Sequence, residues 1–119
     1  MRKTIYNKYN GHCAYCGCKI TLKQMSVDHI KPVLRGDSDN ILKENELERG
    51  SNKIENLNPA CKSCNSSKNV LSVEEFRKQL IKRVDLLRRD SSQFRILERY
   101  EIIKQVKTDI EFYFEKNNL

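Results

Sequence analysis

Apolar residues recur at helical spacing through the second half of the chain and are scattered in the first. After Ser72, which opens a capping-box pattern with Glu75, residues Phe76, Leu80, Val84 and Leu87 follow at spacings of four, four and three. That pattern predicts one amphipathic helix. Asp90, Ser91 and Ser92 supply stop and cap signals, and Ile96, Tyr100, Ile103, Val106, Ile110 and Phe114 then trace a second apolar stripe, which predicts a second helix packed on the first. Nearer the N-terminus, Arg2 to Tyr9 reads as a short helix ended by Asn10 and Gly11, and Lys19 to Leu34 carries enough Ile, Val, Thr and Leu to form strands. All four glycines and both prolines lie before Cys61, so the chain changes from turn-rich to helical soon after Pro59. Asp37 to Asn52, bracketed by Gly36 and Gly50, reads as a surface loop or short irregular helix.

Composition narrows the class. With 119 residues, one domain with a modest core is expected, and 33% charged residues without tryptophan leave that core thin. No apolar run approaches the length of a spanning helix, and Met1 to Asn10 lacks the apolar stretch of a secretion signal, so a cytoplasmic chain without membrane contact is expected. The formal charge is +7, from 23 Lys and Arg against 16 Asp and Glu, which suits a polyanionic partner and equally suits ordinary solubility. Locally, Lys78 to Lys107 holds nine basic residues against four acidic ones. Two readings stand for that segment: a phosphate-tracking face or a solvated helical face.

The cysteines sharpen the picture. In a reducing compartment, five cysteines arranged around two C-x-x-C pairs favour a metal over disulfides. Cys13-Ala-Tyr-Cys16 and Cys61-Lys-Ser-Cys64 can present four thiolates to one tetrahedral zinc ion, with no position left for substrate, so this zinc would be structural. Cys18 could replace Cys16 as a ligand but reads first as a small apolar side chain or spare thiol, and His12, beside the first knuckle, could ligate but reads first as a solvated histidine.

Between the knuckles lies Val27-Asp28-His29-Ile30-Lys31-Pro32. Asp28 offers a hard oxygen to a divalent cation, and a neutral His29 can take a proton from water near pH 7. Neighbours on a regular strand point to opposite faces, so both residues serve one site only where the strand ends or bends, which Pro32 allows. Asn56-Leu57-Asn58-Pro59 precedes the second knuckle and Asn65-Ser66-Ser67-Lys68 follows it. A helix starting near Lys62 would set Asn65 and Lys68 on one face.

The ordered set C-x-x-C, D-H-I-x-P, N-L and C-x-x-C-N-x-x-K resembles the zinc-stapled branch of the HNH endonucleases, over roughly Gly11 to Asn69. The resemblance implies an α+β chain with a ββα-metal core and a nuclease core over residues 1–70; the helices predicted beyond it form a C-terminal extension over 71–119, outside the family core, that is expected to pack on the same domain. It implies that His29 is the general base, that Asn56 holds the loop bearing it, and that Asn65 and Asp28 bind a catalytic Mg²⁺ or other divalent cation. Lys68 would neutralise the phosphate. The implied reaction is hydrolysis of double-stranded DNA to 5′-phosphate and 3′-hydroxyl ends, and the implied context is a phage or mobile element. Two departures from the common pattern are Gly36-Asp37 in place of a glycine pair and a lengthened stretch before Asn56, within which Lys43 and Arg49 could reach DNA. The competing expectation is a non-catalytic zinc-stabilised DNA-binding module. Homodimer formation and service as the nuclease subunit of a phage DNA-packaging machine are further expectations.

Overall fold

The computed structural model describes residues 1–33 and 50–117. The expectations for Asp37 to Arg49, including DNA contact by Lys43 and Arg49, lie outside the described residues. Contacts divide the chain into two compact units, Met1–Val73 joined by the residues from Glu111 onward, and Glu74–Ile110.

In the first unit, helix α1 (Arg2–Asn7) ends as the chain turns through positive φ at Asn10 and Gly11. A Cβ on Gly11 would meet the Tyr6 hydroxyl at 2.7 Å, so only glycine allows that ring to reach past and donate to the Ile20 carbonyl at 2.8 Å. Arg2 ties the same helix to the Leu22 and Met25 carbonyls at 2.8 and 3.0 Å. The apolar face of α1 thereby closes over Ile20, Met25 and Leu57, with Ile5 at the centre of a small core.

Strand β1 (Ser26–His29) pairs antiparallel with β2 (Leu57–Ala60), in a register that sets Asp28 opposite Asn58 and His29 opposite Leu57. This is much less strand than Lys19 to Leu34 promised. Thr21 explains the difference: its carbonyl accepts from Gln24 and Met25 and its hydroxyl accepts from Gln24, a local turn that competes with strand pairing. Among the described residues, one isolated bridge, His12 to Lys19, lies outside this pair. A 3₁₀ turn (Ile54–Asn56) leads into β2, and helix α2 (Lys62–Lys68) leaves it directly, giving the strand, strand, helix order of a ββα core.

The second unit holds nearly all of α3 (Val73–Asp90) and the whole of α4 (Ser92–Arg99). Ser91 caps α4 through the Phe94 amide at 3.1 Å, as its position after Asp90 suggests. Arg88 grips Glu98 with two nitrogens at 2.8 and 2.7 Å, and Arg95 donates to the Arg88 and Arg89 carbonyls that end α3. The second apolar stripe does not make one long helix. Glu101 adopts φ 58°, its amide bonds the Glu98 carbonyl and the Ile102 amide bonds the Leu97 carbonyl, a Schellman stop that ends α4 before Ile103 is reached. Val106, in the middle of that stripe, is 83% exposed.

The chain re-enters the first unit at its end, where α5 (Tyr113–Lys116) is a single turn. Phe112 is buried and meets the Tyr15 ring edge-on, as does Phe114, while the Tyr113 and Phe114 amides bond the Tyr15 and Ala14 carbonyls at 3.0 and 2.7 Å. Phe114 thus packs on the first knuckle instead of continuing a helical stripe.

Candidate metal and catalytic centre

The two knuckles meet. Cys13 and Cys16 sit in the turn after α1, whereas Cys61 is the N-cap of α2, its sulfur accepting from the Cys64 amide at 3.3 Å. The four sulfurs lie within 4.8 Å of one another, with Cys16 and Cys61 3.9 Å apart. An ion held by four thiolates at about 2.3 Å requires sulfurs about 3.8 Å apart, so the cluster fits a tetrahedral metal. Crowding of the thiols is visible in their acidities. Hydrogen bonding from Cys64 holds the Cys13 thiol down to about 4, while that same contact and burial push Cys64 up. Cys18 stays outside the four. It is exposed, and desolvation with neighbouring Cys16 pushes its thiol up to about 12.

The thiol cluster adjoins a second polar group, because Tyr15 lies between Cys13 and Cys16. Its hydroxyl donates a short hydrogen bond to Asp28 Oδ2. Lys68, at the C-terminal end of α2, reaches the same carboxylate, with Nζ 3.2 Å from Oδ1 and 3.1 Å from Oδ2, and donates to the His29 carbonyl at 2.8 Å. Its ammonium also lies 5.9 Å from the centre of the Tyr15 ring. Burial pushes the Asp28 carboxyl up, and the Tyr15 hydrogen bond and the Lys68 charge pull it partly back. Lys68 has 0% exposure, so the side chain expected to face a phosphate is turned inward onto Asp28. The reason is local: a buried carboxylate requires a counter-charge, and α2 brings one.

His29 is the last residue of β1, where the strand rule permits it to depart from the Asp28 face. Its Nε2 lies 2.8 Å from Asn52 Oδ1. An amide oxygen only accepts, so Nε2 is the donor in this contact, and in the neutral imidazole the lone pair then sits on Nδ1. Asn56 holds the chain that follows: its Oδ1 accepts from the Lys31 amide at 2.8 Å, and its Nδ2 donates to the Lys31 and Ser51 carbonyls at 3.0 and 2.8 Å. Gly50 closes the same loop, donating to the Pro32 carbonyl at 2.8 Å, and a Cβ there would lie 1.8 Å from the Lys31 oxygen. Asn65 stands half-buried at the middle of α2, three residues before Lys68.

Four of the nine site residues named from sequence therefore gather in the thiol cluster. Asp28, Lys68 and the His29 backbone form a second group, and Asn56 braces the loop behind His29. Asn52 and Tyr15 were not among those residues. Asn52 sits in a stretch that read as loop, and Tyr15 entered the sequence reading only as a position between two cysteines. The described residues contain no helix long and apolar enough to cross a membrane.

A two-stranded antiparallel sheet, a helix entered from a cysteine knuckle and a histidine ending the first strand define the ββα-metal class of fold. The HNH endonuclease family model matches residues 13–70, and those residues are an HNH endonuclease domain. A relative in Bacillus subtilis (strain 168), the SPbeta prophage-derived protein YoqL, which carries an HNH endonuclease name, is 41% identical over 70 residues. That match covers 57% of this chain and 27% of the relative, so the chain spans about a quarter of that protein's length. Among solved structures, the Type II-C Cas9 enzyme from Actinomyces naeslundii shares the fold with a TM-score of 0.51 at 20% identity, over 91% of this chain and 11% of the enzyme.

Proposed function

We propose that this chain is a metal-dependent endonuclease that hydrolyses DNA phosphodiester bonds, with His29 as general base. The observation that carries the reading is the contact between His29 Nε2 and Asn52 Oδ1, which in the neutral imidazole places the lone pair on Nδ1, the atom proposed to take a proton from an attacking water. Asn56 is a positioning residue, since its three hydrogen bonds hold the loop on which His29 ends β1.

Asp28 and Asn65 are the oxygen donors proposed for a divalent cation such as Mg²⁺. Asp28 fits that task as a hard carboxylate donor next in sequence to His29, and in the cation-free protein it pairs with Lys68. When bound, the cation supplies positive charge to the scissile phosphate and to the leaving 3′-oxygen. The resulting ends are a 5′-phosphate and a 3′-hydroxyl. Zinc is the proposed ion of the Cys13, Cys16, Cys61 and Cys64 cluster, where a soft four-thiolate set suits it and leaves no open position. The formal charge of +7 agrees with a polyanionic substrate.

Cleavage of supercoiled plasmid by the zinc-loaded protein, with and without Mg²⁺, tests this reading alongside a folded His29→Ala variant. Metal-dependent nicking or linearisation, slowed by roughly 10²- to 10⁴-fold in the variant, is the expected result. A zinc-loaded wild type that binds DNA without cutting it in Mg²⁺, Mn²⁺ or Ni²⁺ would replace the nuclease with a DNA-binding module.

A further inference from the structure

Lysine at full burial is rare, and one that covers both oxygens of a proposed metal ligand has a consequence for the ligand. Lys68 has 0% exposure and Asp28 3%, so neither charge is compensated by water. The ammonium spans Oδ1 and Oδ2 at 3.2 and 3.1 Å while the Tyr15 hydroxyl takes a further lone pair of Oδ2. A dipositive ion arriving at this carboxylate meets a positive charge already seated there, in surroundings that screen the repulsion poorly. The ammonium has somewhere to retreat, because the His29 carbonyl at 2.8 Å and the face of Tyr15 hold it independently of Asp28.

We infer that Lys68 is a resident counter-cation for Asp28, which a divalent ion must displace before the site fills, so that this lysine sets the threshold for cation binding. The inference rests on the reading of Asp28 as a cation ligand. The Asp28–Lys68 pair then keeps the carboxylate buried and neutralised in the cation-free protein. Displacement leaves Lys68 attached to the His29 backbone with its charge no longer spent on Asp28. Only at that stage does a phosphate become a partner for the ammonium, which reconciles an inward-facing lysine with a role in binding substrate. Cation binding and the backbone at the general base are thereby linked through one side chain.

The test is Mn²⁺ binding, followed by calorimetry at pH 8 on the zinc-loaded full chain, for the wild type, Lys68→Met and Asp28→Asn. The expected result is tighter binding by about tenfold or more in Lys68→Met, together with loss of that binding in Asp28→Asn. Binding that depends on Asp28 but is equal or weaker in Lys68→Met overturns the counter-cation role and leaves Asp28 as a ligand. Wild-type binding that survives Asp28→Asn overturns the ligand reading and the inference with it. Because Lys68→Met leaves a buried carboxylate unpaired, a second measurement uses the unaltered chain with ¹⁵N-labelled lysine Nζ. The Lys68 signal should shift as Mg²⁺ saturates the site, and a signal that stays fixed at saturation overturns the displacement.

Discussion

At the scale of single residues, two asparagines do different work around one histidine. Asn56 makes three hydrogen bonds to backbone groups of Lys31 and Ser51, while Asn52 makes one to the His29 ring. Removing the first should loosen the loop itself. At about 0.5 to 1.5 kcal/mol for each bond, Asn56→Ala is expected to lose about 1.5 to 4.5 kcal/mol in urea unfolding and to lose activity as well. Asn52→Ala frees the ring to take either tautomer, so plasmid cleavage should fall with stability changed by less than about 1 kcal/mol. Equal loss of stability in both variants would count against Asn52 as an orienting group. Asn56 was legible from sequence because a short motif places it before β2. Asn52 was not, since its partner lies 23 residues away and nothing in the local pattern announces a hydrogen bond across that separation. Tyr15 was missed for the same reason, being 13 residues from Asp28.

At the scale of elements, the parts that the sequence made legible are those set by local chemistry: the cysteine knuckles, the end of α1 at Asn10 and Gly11, and the Ser91 cap of α4. The parts that misled are those where an apolar period continued past the end of the element. Glu101 carries the left-handed turn at which glycine is the usual residue, so no glycine marked the stop. Glu101→Gly should therefore stabilise the helical unit, by about 1 kcal/mol, with a raised midpoint in thermal unfolding followed by circular dichroism. The knuckles predict the opposite behaviour for the first unit. They join the turn after α1 to the start of α2, so extraction of the metal by a chelator should unfold that unit, and Cys61→Ser should abolish stoichiometric zinc. Cys18→Ser should keep one zinc per chain by elemental analysis, because Cys18 lies outside the four-sulfur cluster.

At the scale of the whole molecule, a count of basic residues overstates the charge available to DNA. Of the nine between Lys78 and Lys107, Arg88 is engaged by Glu98 and Asp85, Arg89 by Asp90, and Arg95 by the carbonyls that end α3. Arg88 and Arg95 link α3 to α4, which the linear sequence could not distinguish from a phosphate-binding row, while Arg89 forms an exposed pair with its neighbour Asp90. Lysines, with compact charges at the ends of flexible stems, are the better candidates for phosphate contact, and Lys78, Lys82, Lys104 and Lys107 supply four. If they neutralise phosphates, each releases counterions on binding, and replacing all four with alanine should flatten the slope of log K against log salt by about 3 to 4. Fluorescence anisotropy with a duplex, titrated across a series of salt concentrations, reads that slope directly. The Arg88→Ala variant supplies the contrast: it should weaken the helical unit while leaving the slope almost unchanged, because its charge is already committed to Glu98. A slope unmoved by the four lysine substitutions would exclude these lysines as the phosphate contacts.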